Sequence, residues 1–332
     1  PWRDDPTPYH VWISEIMLQQ TRVEAVKDYY AHFMKALPDI RDLAQVSDDD
    51  LMKLWQGLGY YNWARNLKKA AQRIVEEYDG KLPNRYEALL TLPGIGSYTA
   101  GAIASIAYQI KVPAVDGNVL RVMMRVLGSE KNISRPSTKV WLEERLSAIL
   151  PDRVGDFNQA LMELGALICV PNGEPKCQEC PLRFTCQAYQ TGMTTVLPIK
   201  DEKKTRKIED KTVLLFYFNH NIALWRRKNS GLLAGLFEFP NVSGHLTTKE
   251  VIQYLKQEGI EAIRIEPLPS AKHIFSHVEW NMIGYKIVLD DFVKERPYIW
   301  SSLEELHQKY AIPTAFGTSL QLVIEELSHR TM

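Results

Sequence analysis

All four cysteines of this 332-residue sequence fall within one stretch of eighteen residues. They are Cys169, Cys177, Cys180 and Cys186, separated by seven, two and five residues. Four thiolates around one point can bind a tetrahedral zinc ion or a four-iron, four-sulfur cluster, and two disulfides are a third alternative. Zinc ribbons usually contain a second Cys-x2-Cys pair, which this sequence lacks, so the spacing favours an iron–sulfur cluster over zinc.

Two carboxylates stand in positions that suit acid–base chemistry. Glu15 lies among apolar residues of a predicted helix, where burial would raise its pKa and keep the carboxyl protonated. A solvent-exposed helix glutamate is the alternative. Asp116 precedes Gly117 at a predicted helix start, which favours a role as N-cap, and the amides there would keep the carboxylate ionised.

Two glycine-containing turns are candidate DNA contacts. Leu92–Gly96 joins two predicted helices, and its alternate glycines permit positive φ and close backbone approach. The free amides of the helix that starts at Ser97 would bind a DNA phosphate without any side-chain charge, and a plain glycine-capped turn is the alternative. Gly57–Tyr61 carries two aromatic residues that could wedge between base steps, although aromatics after a turn also pack in cores.

The elements that position these residues differ between the two halves of the chain. Up to about residue 190, apolar spacing and capping residues predict successive helices. Thr7 and Pro8 predict the start of the first helix, and Thr21 with Glu24 predicts a capping box for a helix from Thr21 to about Leu37. Further helices are predicted after Ser47 and at 62–78, 84–92, 97–108, 117–127, 137–149 and 156–168.

A charge run from Lys200 to Lys211 interrupts this pattern and predicts a solvated linker. Beyond it, short segments rich in β-branched and aromatic residues predict strands. These segments are Val213–Phe218, Ile222–Arg226, His273–Trp280 and Met282–Leu289. Helical stretches return at Thr248–Glu258 and Leu303–Tyr310, so the second half is predicted to be α+β.

The overall composition excludes several classes of protein. An apolar fraction of 45% with only four cysteines excludes a disordered chain and a disulfide scaffold. No apolar run approaches the ~18 residues of a membrane span, so we expect a soluble protein. The 40 basic and 40 acidic residues balance, and net charge therefore gives no sign of a nucleic-acid partner. A targeting segment is left undecided, because the sequence begins at Pro1.

Taken together, the motifs resemble those of the MutY-type adenine DNA glycosylases, which belong to the endonuclease III (helix–hairpin–helix) superfamily. The motifs that carry the resemblance are Trp2-Arg3, Ser14–Thr21, Gly57–Tyr61, Leu92–Gly96, Val115–Val119 and the four cysteines. Gly231–Pro240 and His273–His277 resemble the Nudix-like domain of the same family. One departure is the first cysteine gap, which has seven residues here and usually six in the family.

The resemblance implies an enzyme that flips adenine mispaired with 8-oxoguanine or G out of DNA and hydrolyses its N-glycosidic bond. Glu15 would protonate adenine at N7, Asp116 would stabilise the positively charged sugar, and Asn118 would orient the site. Tyr98 occupies the position where bifunctional lyases carry a lysine that forms a Schiff base. The resemblance therefore implies a monofunctional glycosylase, with Tyr98 assisting in the pocket.

The same resemblance implies a 4Fe-4S cluster on the four cysteines and a set of DNA-contacting residues. That set comprises Arg3, Gln19, Gln20, Thr21, Leu58, Tyr60, Gly94, Gly96, Ser97, Arg183, Phe275, Ser276 and His277. Within it, Ser276 is the best candidate for a hydrogen bond to 8-oxoguanine. Two rivals are an endonuclease III-like lyase, which Tyr98 disfavours, and a non-catalytic DNA-binding module, which the two carboxylates disfavour.

We expect a multi-domain protein in which an all-α helix–hairpin–helix glycosylase domain precedes an α+β Nudix-like domain. The expected bounds are 1–190 for the first, including an iron–sulfur module at about 165–190, 191–211 for a linker, and 212–332 for the second. The helix at 249–258 lacks the glutamate run that holds magnesium in Nudix hydrolases, so pyrophosphate hydrolysis is not expected. The resemblance also implies a monomer located in the cytoplasm at the nucleoid.

Overall fold

The computed structural model describes residues 1–19, 21–202, 205–293 and 296–329. The chain divides into two compact units, of which one comprises residues 1–46 and 65–203 and the other residues 47–64 and 204–332. The second unit thus includes a segment of the first 190 residues that we expected in the glycosylase domain. Among the described residues, no helix is both long and apolar enough to cross a membrane.

The first 190 residues are helical, as predicted. In chain order the α-helices are α1 (Pro8–Leu18), α2 (Val23–Ala36), α3 (Ile40–Gln45), α4 (Asp48–Leu54), α5 (Tyr61–Tyr78), α6 (Tyr86–Leu90), α7 (Ser97–Ala102), α8 (Gly117–Val126), α9 (Pro136–Ser147), α10 (Val154–Glu163) and α11 (Gln187–Gln190). Helix α4 and the first turn of α5 belong to the second compact unit.

Local capping explains most of the helix starts. The Thr7 side chain accepts a hydrogen bond from the His10 amide at the start of α1, as predicted. The predicted capping box at Thr21 is wrong, because α2 begins at Val23 and no side chain caps it. This later start places Glu24 at the second helical position, where its carboxylate pairs with Lys27 instead, at 2.9 Å.

Two helices end in a turn of π-helix, and the second of these turns packs on the start of α8. Helix α7 continues as Ile103–Ala107, and α10 continues as Leu164–Ile168. A Cβ atom at Gly165 would lie 2.6 Å from the Cβ of Asn118, so this approach requires glycine. The second π turn and the start of α8 are therefore tightly packed against each other.

The second unit contains a mixed β-sheet. Its strands are β1 (Lys207–Phe218), β2 (Asn221–Arg226), β3 (Phe237–Glu238), β4 (Asn241–Ser243), β5 (Ala262–Ile274), β6 (Val278–Leu289) and β7 (Ile299–Ser301). The order is β3-β2-β1-β6-β5, with β4 paired to β1 and β7 to β2, and only the β1–β6 pair is parallel among these described strands.

Helices cover both faces of this sheet. They are α12 (Thr248–Gln257), α13 (Leu303–Gln308) and α14 (Gly317–His329). One apolar cluster joins the sheet to Val251 and Leu255 of α12, and a second joins it to Leu306 of α13 and Val323 of α14. The second unit is thus α+β, and the predicted fold class is confirmed.

Three details of this unit differ from the predictions. The predicted strand His273–Trp280 is wrong, because Phe275-Ser276-His277 forms the turn between β5 and β6, closed by the Phe275 amide donating to the Val278 carbonyl at 2.8 Å. Strand β5 was not predicted, since prolines and charged residues obscure its alternation. Strand β1 begins at Lys207, inside the predicted linker, because its exposed first residues pair with β6.

Candidate active site and DNA-contacting elements

Glu15 lies on α1 with only 7% of its side chain exposed, so the solvent-exposed alternative does not apply. The Tyr98 hydroxyl, near the start of α7, donates a short hydrogen bond to Glu15 Oε2. The same hydroxyl lies 3.6 Å from Met162 Sδ. Two helices therefore hold a buried carboxyl against a phenol.

This setting changes the acidity of both groups. Burial raises the pKa of Glu15 from its usual value of 4.5 to about 7, and the charge of Asp116 acts in the same direction. The hydrogen bond from Tyr98 and the charge of Arg3 lower the pKa of Glu15 by smaller amounts. Burial beside these two carboxylates raises the pKa of Tyr98, so the phenol remains a donor.

Asp116 is the N-cap of α8, as predicted. Its Oδ1 accepts from the Val119 amide at 2.7 Å, and its Oδ2 accepts from Asn118 Nδ2 at 2.8 Å. Burial raises the pKa of Asp116, so the helix-start amides that we expected to keep it ionised act against this shift. The hydrogen bonds from Val119 and Asn118 and the charge of Arg121 oppose that shift and favour the carboxylate.

Arg121 supports this arrangement from the next turn of α8. Its Nη2 donates to Asn118 Oδ1 at 2.9 Å and to the Gly165 carbonyl at 2.7 Å, while its Nε donates to the Cys169 carbonyl at 2.8 Å. The guanidinium group thus joins the amide beside Asp116 to the π turn and to the first cysteine.

Asn158 fixes the chain that leads to Asp116. This buried α10 residue accepts from the Ala114 amide at 3.2 Å and donates to Ser105 Oγ at 2.8 Å and to the Val112 carbonyl at 3.0 Å. Because an unpaired buried amide is costly, these three bonds stabilise one conformation of the segment.

The predicted helix–hairpin–helix is present, with Leu92–Gly96 between α6 and α7. Gly94 has a φ of +74°, and a Cβ there would lie 2.7 Å from the Cβ of Asn66. Gly96 does not use the positive φ that its residue type permits, since its φ is −91°. Gly96 precedes the free amides of α7, and among the described residues other than its chain neighbours no atom lies within 4 Å of the Cβ position that it leaves open.

The second glycine turn lies in the second unit, beside the β5–β6 turn. The Tyr60 hydroxyl and Ser276 Oγ are 3.0 Å apart, although 216 residues separate them in sequence. Tyr60 stacks on Trp63 with ring centroids 4.8 Å apart. Phe275 packs edge-on against Trp280 at 4.9 Å, whereas Ser276 and His277 are exposed. Two predicted DNA contacts are thus neighbours.

The four cysteines line one cavity together with apolar residues of α8 and the π turn. Arg125 Nη1 donates to Cys169 Sγ at 3.2 Å, and Cys186 Sγ donates to the Arg125 carbonyl at 3.4 Å. In the part of the chain that the structure describes, no three His, Cys, Asp or Glu side chains converge closely enough to hold a single metal ion.

The other residues predicted to contact DNA lie in different structural environments. Arg3 forms an ion pair with Glu163, and Gln19 Nε2 donates to Thr99 Oγ1 at 3.3 Å. Arg183 lines the cysteine cavity, and its guanidinium stacks over the Phe184 ring at 4.5 Å. Ser97 opens α7, Thr21 precedes α2, and Leu58 is buried. Gln20 lies outside the described residues.

Sequence reasoning missed Arg121, Arg125 and Asn158, which hold the site without any motif of their own. A signal for the two arginines was available, because they lie four residues apart in an otherwise apolar helix and therefore share one face. Asn158 has no such signal, since its partners lie on other elements.

Comparisons with known proteins define the class of protein to which this chain belongs. Residues 13–148 match the family model described as HhH-GPD superfamily base excision DNA repair protein, and residues 212–322 match that of a NUDIX domain. A thermostable thymine-DNA glycosylase is similar in structure, with a TM-score of 0.51 and 31% identity over 57% of this chain and 88% of that chain. The fold of the first unit is thus that of a helix–hairpin–helix DNA glycosylase.

Sequence relatives identify the family to which the chain belongs within this class of DNA glycosylases. An adenine DNA glycosylase of Buchnera aphidicola (subspecies Schizaphis graminum) is 37% identical over 92% of this chain and 89% of its own length. That of Mus musculus is 37% identical over 87% of this chain and 68% of its own length. The chain belongs to the adenine DNA glycosylase family, and it is a DNA N-glycosylase.

Proposed function

We propose that this protein excises adenine paired with 8-oxoguanine or G from duplex DNA, by acid-assisted hydrolysis of the N-glycosidic bond and without cleaving the strand. The observation that carries the proposal is a pair of carboxyls, one buried and one partly buried, in different environments. Glu15 has its pKa raised to about 7 and so holds a proton near neutral pH, whereas Asp116 accepts two hydrogen bonds that favour its charge.

The two carboxyls meet different needs of the reaction. Neutral adenine is a poor leaving group, so an acid must protonate the purine as the bond breaks, and Glu15 is that acid. The sugar develops positive charge, and Asp116 stabilises it electrostatically. Asn118, held by Arg121, keeps the Asp116 carboxylate in one orientation.

Tyr98 argues against a lyase. A Schiff-base mechanism needs an amine nucleophile, and a phenol with a raised pKa that donates to Glu15 supplies none. Tyr98 instead moderates the acidity of Glu15 and holds the carboxyl in place. The released base is therefore replaced by water, and the product is an abasic site in an intact strand.

Backbone groups account for DNA binding by a protein without net charge. The amides at the start of α7, beside the open space at Gly96, suit a DNA phosphate. A solved structure titled as a non-covalent endonuclease III–DNA complex shares the fold, with 24% identity and a TM-score of 0.50. Arg3, Gln19, Gln20, Thr21 and Arg183 are the further contacts proposed.

Recognition of the opposite base is assigned to the exposed β5–β6 turn. Guanine presents N7 as an acceptor, whereas 8-oxoguanine carries a hydrogen on N7. A serine hydroxyl whose proton is directed to Tyr60 can accept from that N7–H and has no proton to offer guanine N7. The 3.0 Å contact between Tyr60 and Ser276 supports this role, and Phe275 and His277 flank it.

A 4Fe-4S cluster fits the cysteine cavity. Cys169, Cys177, Cys180 and Cys186 line it with apolar neighbours, and a space among four thiols suits a cluster better than a single zinc ion. When bound, the cluster would cross-link this loop and so hold Arg183 at the surface. Arg125, which donates to Cys169 Sγ, would support a thiolate there.

The proposal is tested with duplexes that contain A opposite 8-oxoguanine, A opposite G, and A opposite T. We expect adenine release from the first two, no strand break before alkali, and no product trapped by borohydride. Borohydride trapping would establish an amine nucleophile and contradict the monofunctional mechanism. Release from A:T at the same rate would contradict the mispair specificity.

The variant Glu15→Gln tests the acid directly. Because glutamine has nearly the same shape but no acidic proton, we expect adenine release to be abolished while DNA binding stays close to that of the wild type. Wild-type turnover by Glu15→Gln would refute the assignment. Loss of DNA binding would show instead that the substitution disturbs the fold.

A further inference from the structure

Within the second unit, two side chains hold helix α4 in place by donating to backbone carbonyls near the end of the chain. Lys53 Nζ donates to the Leu306 carbonyl at 3.2 Å and to the Tyr310 carbonyl at 3.1 Å. Gln56 Nε2 donates to the Ile312 carbonyl at 3.1 Å. These carbonyls lie on α13 and the segment after it, so the two donors hold the end of α4 against the last part of the chain.

An ion pair fixes the other end of the same helix. Asp49 accepts from Arg226 Nη2 at 2.6 Å, and Arg226 ends strand β2. Both side chains are about half exposed, so this pair contributes less than the carbonyl contacts of Lys53. Lys53 is half-buried, and this burial lowers its pKa.

The turn after α4 is closed by a hydrogen bond. Gly57, Gly59 and Tyr60 have φ values of +100°, +74° and +45°, and a positive φ is unfavourable for tyrosine. The Trp55 Nε1 group donates to the Gly59 carbonyl at 3.0 Å and holds the turn. A displacement of α4 would therefore be transmitted to Tyr60 through this hydrogen-bonded turn.

We propose that Lys53 and Gln56 are positioning residues for recognition of the base opposite adenine. By holding the end of α4, they set the position of Tyr60, whose hydroxyl bonds to Ser276. When Ser276 is the donor in this pair, a shift of the turn changes how well the serine accepts from 8-oxoguanine. This inference rests on the function proposed above, and it adds residues that do not touch the base.

The variant Lys53→Met tests the inference, because it keeps the aliphatic stem and removes both hydrogen bonds. We measure single-turnover adenine release from A opposite 8-oxoguanine and A opposite G. The preference for 8-oxoguanine is expected to fall by roughly two- to fivefold, the effect of about one hydrogen bond. The rate on the A:G duplex stays near wild type, because Glu15 and Asp116 are unchanged.

Two further variants serve as controls. Lys249→Met makes the same chemical change at an exposed lysine of α12 and should leave the preference unaltered. Lys53→Arg retains donors for both carbonyls and should therefore show the wild-type preference for 8-oxoguanine. If Lys53→Met fails to fold in thermal unfolding, Gln56→Met carries the test, since it removes only one bond.

A double-mutant cycle separates positioning from general loss of stability. If Lys53 acts through the Tyr60–Ser276 pair, Lys53→Met has little effect in a Ser276→Ala background. Additive losses, or an unchanged preference in Lys53→Met, would overturn the inference and leave the proposed function intact. A wild-type protein with no preference for 8-oxoguanine would overturn the proposed function itself.

Discussion

Glu15 and Tyr98 are linked so that a change in the phenol alters the acidity of the carboxyl. The hydrogen bond from Tyr98 lowers the pKa of Glu15, which burial has raised to about 7. Tyr98→Phe removes that bond, so the pKa of Glu15 should rise further. Because an acid catalyst must be protonated, the rate falls as pH rises through its pKa.

We therefore predict a shift in the pH profile of Tyr98→Phe. For the wild type, kcat/KM for adenine release should decline as pH rises through about 7, the pKa of Glu15. In Tyr98→Phe the decline should occur at higher pH, whatever the change in maximal rate. A midpoint that stays in place, or moves to lower pH, would contradict the proposed link between the two residues.

The same raised pKa makes folding stability depend on pH. Between its usual value of 4.5 and about 7, Glu15 binds a proton in the folded state and releases it on unfolding, so its contribution to stability is lost as pH rises through this range. Glu15→Gln removes the titrating group. We predict that its Tm exceeds that of the wild type above the folded pKa and approaches it at acid pH. Parallel Tm curves would show that Glu15 is not titrating in this way.

Asp116 has a structural and a proposed catalytic role that two substitutions separate. Asparagine can still accept from the Val119 amide as an N-cap, but it carries no charge. We predict that Asp116→Asn keeps a near-wild-type Tm and loses adenine release, whereas Asp116→Ala loses activity and also about 1 kcal/mol of stability. Single-turnover assays and thermal unfolding measure the two effects. An active Asp116→Asn would leave Asp116 only a cap.

At the scale of elements, the cysteine loop is bound to α8 through Arg121 and Arg125. A cluster in this loop should yield a brown protein with about four irons per chain. We predict that Cys177→Ser lowers the iron content and the Tm together, because the loop loses its cross-link. The control is Thr185→Ser, which introduces a serine at an exposed position of the same loop. A colourless, fully active protein with one zinc would refute the cluster.

Also at this scale, capping and glycine signals placed α1, α4 and the hairpin correctly, since each depends on residues within a few positions. The Thr21 capping box failed because α2 begins two residues later, at Val23, with the non-capping residue Arg22 before it. Strand β5 was missed for a different reason, since its identity depends on pairing with β6 rather than on its own composition.

At the scale of the whole molecule, the boundary between units does not follow chain order. Residues 47–64 belong with the C-terminal unit, where Lys53 and Gln56 donate to its carbonyls. Removing residues 204–332 therefore also removes the partners of this segment. If the two halves folded separately, this truncation would not reduce the stability of the remaining chain.

We predict that a chain ending at residue 203 retains adenine release at a reduced Tm, because the proposed catalytic residues and all four cysteines precede residue 190. Its preference for A opposite 8-oxoguanine over A opposite G should be lost, since Ser276 is absent. The full-length protein, assayed on the same duplexes, is the reference. A truncated protein with unaltered preference would place recognition of the lesion entirely in the remaining residues.

The sequence by itself determined the features that depend on neighbours along the chain. The clustered cysteines, the hairpin of Leu92–Gly96, the cap at Asp116 and the change from helical to alternating periodicity were all visible as local patterns. Together they were sufficient for the fold class and the family, because residue type and spacing already specify the chemistry that such motifs can perform.

Only the tertiary structure decided how these features work together. The burial that raises the pKa of Glu15 depends on packing from several elements, and no window of sequence contains it. The pairing of Tyr60 with Ser276 and the attachment of α4 by Lys53 join residues more than 200 positions apart. Such contacts are set by how the chain folds back on itself, since neither partner carries a local signal for the other.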